Sequence, residues 1–362
     1  MELTPKITSF QFFTILFLSR VFAMVTYITS LRTQLSTTDE VIGTILMGAF
    51  LLITAIPTAL FLKQDNKSSI IMRASVVSET FAKILCVIYF IDYLYFGIIT
   101  SVRFGIFTGS VMFPDTNVTF FVIIMIAASA YIAFKGIEAM GRSAVIILVP
   151  VLFAIFFVFS TQIKDFDFLN FTSPFTDEIT DIISSGVYTA SRTGELAFVT
   201  ILTPYVKNQK SKHLYFWLFA MLGVVFITEL MISGILGNFG GTQLFNMYSM
   251  SVLAEFGFIE RMDAIITCMW LLCATVKISI TIFICETLLT SFFGKRRQIL
   301  YIVISAVIIF IGTIPLSNDI VSFASLIRSP LTIIFYIINV FLIPVSVMIG
   351  EKTARRRKLE KA

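Results

Sequence analysis

Apolar runs of about 20 residues recur along the whole chain, separated by short polar connections. A helix of that length spans the roughly 30 Å hydrocarbon core of a bilayer. Ten runs are legible, at approximately 8–30, 40–62, 79–101, 118–135, 143–160, 182–206, 212–236, 264–288, 298–316 and 329–350. Pro57, Pro150, Pro204 and Pro344 interrupt four of them. Membrane helices tolerate such residues where neighbours or water satisfy the freed backbone. The pattern predicts an all-α polytopic membrane protein, a single transmembrane domain over 1–362 that closes in a basic tail at 351–362.

Composition removes the alternatives. With 57% hydrophobic and 14% charged residues, a soluble domain of 362 residues would expose a mostly apolar surface. The net charge of +5 does not point to nucleic acid, because the basic residues sit where they set topology. One set of connections carries Lys6; Lys63, Lys67 and Arg73; Lys135 and Arg142; Lys207, Lys210 and Lys212; Lys295, Arg296 and Arg297; and the tail residues Lys352, Arg355, Arg356, Arg357, Lys358 and Lys361. The alternate connections carry far fewer, Arg32, Lys164, Arg261 and Arg328 among them. Both termini are therefore expected on the cytoplasmic side, with the tail attracted to anionic lipid headgroups. The opposite side is acidic, with Asp165, Asp167, Asp177, Glu178 and Asp181 in one connection and Glu255, Glu260 and Asp263 in another, read as a solvated face.

Chemistry outside the charges is sparse. Cys86, Cys268, Cys273 and Cys285 fall inside spans at no zinc or haem spacing and read as small apolar residues. The single histidine, His213, lies beside Lys212, and no metalloprotease, nucleophile-elbow or phosphate-loop motif is present. An enzyme is not expected, nor a metal or cofactor. The first span holds Arg20 and no small-residue cleavage site follows it, so no removable signal peptide is expected.

Charges inside spans are costly, at least about 2.5–3.5 kcal/mol each at the bilayer centre, and persist mainly where they face a cavity or a partner. Arg20 lies near the middle of span 1, Asp92 of span 3, Arg192 and Glu195 of span 6, and Lys277 of span 8. If ten spans form two repeats of five, at 8–160 and 182–350, spans 1 and 6 are counterparts and so are spans 3 and 8. An odd number of spans per repeat inverts the second repeat. That architecture places substrate at the midplane on broken helices.

Span 6 contains Gly186 and Gly194 among Ser185, Thr189, Ser191 and Thr193, which weakens it as a helix. Tyr188, Arg192 and Glu195 fall at i, i+4 and i+7, which would give them one face. The expected site is Gly194 and its backbone for polar contacts, Arg20 or Arg192 for an anionic group, Asp92 or Glu195 for an amine, and Tyr188 as a wall. Ser19 accompanies Arg20 at the centre of span 1, and Lys277 is a candidate cation surrogate between helices 1 and 8. Each also has a structural reading: Arg192 with Glu195 as an intrahelical pair, Arg20 with Glu195 or Asp92 as an interhelical lock.

The segments KITSFQFFTILF at 6–17, FKGIEAMGR at 134–142, GELAF at 194–198 and TPY at 203–205 resemble the B-subunit family of spore nutrient germinant receptors, the germination permeases of endospore formers. The likeness extends over the length, the ten-span layout and the basic tail. That family is similar to the amino acid–polyamine–organocation transporter superfamily. The resemblance implies a five-plus-five inverted repeat with helices 1 and 6 discontinuous. It also implies a small nutrient such as an amino acid as ligand, A and C subunits as partners besides membrane lipids, and the inner membrane of the spore. Transporter relatives break helix 1 at a small glycine-containing segment, where this chain has Ser19-Arg20-Val21-Phe22.

Overall fold

The computed structural model describes residues 6–25, 35–254, 263–294 and 297–359. Arg32, Glu255, Glu260, Arg261, Lys295, Arg296 and Lys361, and the far end of the first expected span, lie outside the described residues. Apart from one two-residue strand pair, the described regular structure is helical: α1 Ser9–Val25, α2 Thr37–Gln64, α3 Ile70–Val77, α4 Glu79–Phe107, α5 Val118–Lys135, α6 Ile137–Gln162, α7 Ile179–Ser191, α8 Glu195–Ile201, α9 Ser211–Leu236, α10 Asn246–Leu253, α11 Asp263–Phe293, α12 Gln298–Ser317, α13 Ile320–Arg328, α14 Leu331–Tyr336 and α15 Ile343–Leu359. Among the described residues, eight helices are long and apolar enough to cross a membrane.

Two expected spans stand apart from those eight. The first is described only as the 17-residue α1. The sixth is divided, α7 ending at Ser191 and α8 starting at Glu195, with Arg192, Thr193 and Gly194 non-helical between them. The expected break in helix 1 is corrected: α1 runs unbroken through Ser19 and Arg20. It contains neither glycine nor proline, and Phe12, Leu16, Leu18, Val21 and Phe22 pack it into the core on several sides.

The core is organised around α11, which packs against α1, α4, α5, α6 and α12. Within its most apolar window 78% of residues are buried, against 28% for α5 and α6, so α11 is the central helix and its apolar character runs all round. Trp270 of α11 stacks between Phe22 of α1 and Phe104 of α4. α2 packs along α7 and α9. Its approach to α7 is close because of Gly186, where an added Cβ would lie 2.8 Å from the Gly43 carbonyl oxygen.

Short elements pin the ends of the bundle. The parallel strands β1 Ile7–Thr8 and β2 Val206–Lys207 join the start of α1 to the segment after α8. A short helix follows α2 and another follows α9, namely α3 and α10. Arg73 of α3 is buried, its guanidinium bridging Glu351 of α15 at 2.6 Å and donating to the Phe61 carbonyl and Gln64 Oε1 of α2. At the opposite end, Asp39 in the first turn of α2 accepts from the backbone amides of Phe175 and Asp177, tying down the connection before α7.

Candidate functional site

The break in α7–α8 exposes backbone groups that a continuous helix would pair internally. Neighbouring helices supply the partners. The Arg20 guanidinium of α1, itself buried, donates long hydrogen bonds to the carbonyls of Arg192 at 3.4 Å and Thr189 at 3.5 Å, at the C-terminal end of α7. A cation there also meets the negative end of the helix dipole. Tyr93 Oη of α4 donates to the Gly194 carbonyl at 3.4 Å. Glu195 opens α8, where a carboxylate is favoured at a helix start.

Glu195 is fully buried and held by two groups. Its Oε1 accepts from Ser19 Oγ at 2.8 Å and from Lys277 Nζ at 2.8 Å. Lys277 of α11 also donates to the Ser19 carbonyl at 3.3 Å and lies 4.4 Å from the centre of the Phe96 ring. Its ammonium thus has a carboxylate oxygen, a backbone oxygen and a π face. Glu195 Oε2 is buried with no hydrogen-bond partner among the described residues. A buried pair of this kind is weak evidence for stability, although removing one partner is severe because the other charge stays behind.

Asp92 pairs with a residue that the hydropathy reading passed over. Asn339 Nδ2 donates to Asp92 Oδ2 at 2.6 Å, and Tyr89 Oη donates to the Asn339 carbonyl. Asn339 sits in a π-helical segment, Ile337–Leu342, joining α14 to α15. Such segments widen a helix locally and recur at functional sites.

Two small cavities meet at the break. The first, about 50 Å³, is lined by Arg20, Arg103, Arg192, Glu40, Glu229 and Asn246 among others. The second, about 40 Å³, is lined by Asp92, Phe96, Arg192, Gly194, Lys277 and Asn339 among others. Ala23, Arg103 and Arg192 belong to both. A third space of about 180 Å³ shares Glu40, Glu229 and Asn246 with the first and continues to Gly237, Gly240 and Gly241. The three form a chain from the glycine-rich connection after α9 to the centre of the bundle. Each inner cavity has room for roughly three or four waters.

The sequence-derived residues therefore divide. Arg20, Asp92, Arg192, Gly194 and Lys277 line one or both inner cavities. Ser19 and Glu195 stand behind Lys277 and line neither. Tyr188 also lines neither cavity. The break falls between Ser191 and Glu195, so the continuous helical spacing expected for Tyr188, Arg192 and Glu195 is interrupted. Arg103, Asn339, Phe96 and Tyr93 were missed as site residues. Asn339 had a readable signal, being a lone amide inside the apolar run at 337–342.

Comparisons with known proteins add a family and a fold. Residues 6–321 match the family described as spore germination protein, Spore_permease. No curated protein matches the sequence. Among solved structures, a Na+-coupled sialic acid symporter in a substrate-bound outward-open state is similar with a TM-score of 0.64 at 13% identity, covering 93% of this chain and 79% of the symporter. Mhp1, a nucleobase-cation-symport-1 family transporter in a closed conformation with bromovinylhydantoin bound, is similar with a TM-score of 0.58 at 15% identity, covering 92% of this chain and 80% of Mhp1. The chain thus has the helical fold of these membrane transporters.

Proposed function

The chain belongs to the spore germination protein family, and from that premise we propose that it is the transporter-like membrane subunit of a spore germinant receptor. It has ten crossings in two inverted five-helix repeats, 8–160 and 182–350, with both termini cytoplasmic, in the inner membrane of the spore beside A and C subunits. A small nutrient, an amino acid with a small side chain, binds at the midplane and shifts the protein towards a signalling state. Such a shift requires unequal affinity for the two states.

The observation that carries this reading is the α7–α8 break, opening on two joined cavities lined by charges of both signs. Asp92 faces an ammonium group, Arg192 and Arg20 face a carboxylate, and Gly194 leaves the space between them. Cavity volumes equivalent to a few waters favour a compact zwitterion over a sugar or nucleoside. The extended connection after α9 forms the approach from outside. The test is germination of spores carrying Gly194→Leu or Arg20→Ala. Loss of the nutrient response at normal protein level is expected; a normal response at normal level contradicts the site.

A second reading is a working amino acid permease coupled to protons. The specific observation in its favour is Lys277, whose ammonium bridges the Ser19 carbonyl of α1 and Glu195, so that a bound sodium ion there would meet a like charge. Proteoliposome uptake under an imposed pH gradient separates the two: concentrative flux supports transport, and binding without flux supports sensing.

A further inference from the structure

A cavity larger than those at the break is remote from these charges. It is an open groove of about 430 Å³ between α1, α6 and α9, floored by Phe13, Phe17, Leu148, Leu152, Trp217 and Val224. It begins at Ser9 and His213, at the end of the bundle where β1 meets β2, and ends near Phe17 and Val224. From His213 to Val224 along α9 is about 16 Å at the helical rise, which is one leaflet of the hydrocarbon core. Phe10 and Phe216 at its rim are strongly exposed, so the groove opens sideways towards lipid.

Two features at its shallow end are polar. Trp217 is 2% exposed, and its Nε1–H has no hydrogen-bond partner among the described residues. Indole is a donor only, so it requires an oxygen acceptor. His213 lies one turn nearer the surface, and its Nδ1 is buried and likewise has no partner among the described residues. Around this mouth Lys207, Lys210 and Lys212 are exposed, and the Lys207 carbonyl accepts from Ser9 Oγ at the groove edge. No carboxylate lines the groove.

We propose that this groove is a binding site for one anionic glycerophospholipid. An acyl chain fills the apolar floor, a glycerol ester carbonyl accepts from Trp217, and the phosphate lies among His213, Lys207, Lys210 and Lys212. The occupant packs on Phe10, Phe13 and Phe17 of α1, the helix that carries Arg20 nearer its other end. The lipid thereby sets the position of the helix whose guanidinium caps α7.

The test is binding of phosphatidylglycerol and phosphatidylcholine of identical chains to the purified full-length protein, by native mass spectrometry and thermal stability. Wild type should favour phosphatidylglycerol about tenfold. Lys207→Gln/Lys210→Gln/Lys212→Gln should bring the two lipids within about twofold. Ala220→Trp, which fills the groove and leaves the basic tail intact, should weaken both lipids. Glycerol 3-phosphate, which has no chains, should not bind measurably. Equal binding of the two lipids by wild type, an undiminished phosphatidylglycerol preference in the triple variant, or undiminished binding of both lipids by Ala220→Trp overturns the proposal. So does a Phe216→Cys crosslink to a second protein chain that excludes lipid, since the groove would then be a helix-docking surface.

Discussion

The segments of α1 and of α7–α8 that meet at the break both carry charge and differ in one respect: α1 is continuous and α7–α8 is not. The continuous helix supplies side chains, and the broken one supplies backbone. Arg20 reaches from α1 to the carbonyls that the break releases, and Ser19 reaches to Glu195 just beyond it. In a medium without water each released carbonyl costs several kcal/mol if left alone. A helix can therefore open at the centre of a membrane when its neighbour stays intact and presents a fixed array of donors. The arginine and serine at the centre of α1 stand where a second break would remove the support for the first.

The comparison breaks most severely at the buried pair. Lys277→Met leaves Glu195 charged without a cation and should cost about 3–5 kcal/mol in chemical unfolding, with Lys277→Met/Glu195→Gln recovering most of it. A loss below about 1 kcal/mol for the single variant would show that the pair does not hold α8 in place. Next comes Arg20→Ala, expected to cost about 2 kcal/mol and to speed amide exchange at the end of α7. Arg20→Lys should recover little, because an ammonium lacks the fork that reaches both carbonyls. Unchanged exchange in Arg20→Ala would mean that the break has other support. Ser19→Gly tests the intact helix, weakening α1 and removing one hydrogen bond to Glu195, for about 1–2 kcal/mol in the same assay.

Gly194→Ala sharpens the comparison with the smallest effect. Gly194 has φ −60°, a conformation open to alanine. A Cβ there lies 3.2 Å from Phe96 Cε2, so lost unfolded-state entropy and crowding nearly offset each other. Stability should change by less than about 1 kcal/mol. Ligand binding should fall, because the added methyl enters the space beside Asp92 and Lys277.

Part of this arrangement was legible from the charges placed inside apolar runs. Charge inside spans 1, 3, 6 and 8 pointed to a shared centre, and Arg20, Asp92, Arg192 and Lys277 each line one or both of the inner cavities. The weak helix at Gly194 was legible too, although for an incomplete reason, since the glycine matters through the space beside Phe96 rather than through an unusual φ. Three things were not legible. Spacing along an ideal helix put Tyr188, Arg192 and Glu195 on one face, and the three-residue break that interrupts that spacing was not placed by the sequence. Asn339 reaches Asp92 from a π-helical turn, which hydropathy does not reveal. The continuity of α1 depends on burial between α11, α6 and α9, a tertiary property.

Whether the break faces a ligand is decided by a thermal-stability titration of the purified full-length protein against a panel of small amino acids, with sugars and nucleosides as controls. Wild type should be stabilised in a saturable manner by at least one small amino acid, with Asp92→Asn and Gly194→Leu folded and losing that response. No stabilisation of wild type by any amino acid, or an undiminished response in both variants, would mean that the charges at the break serve only one another.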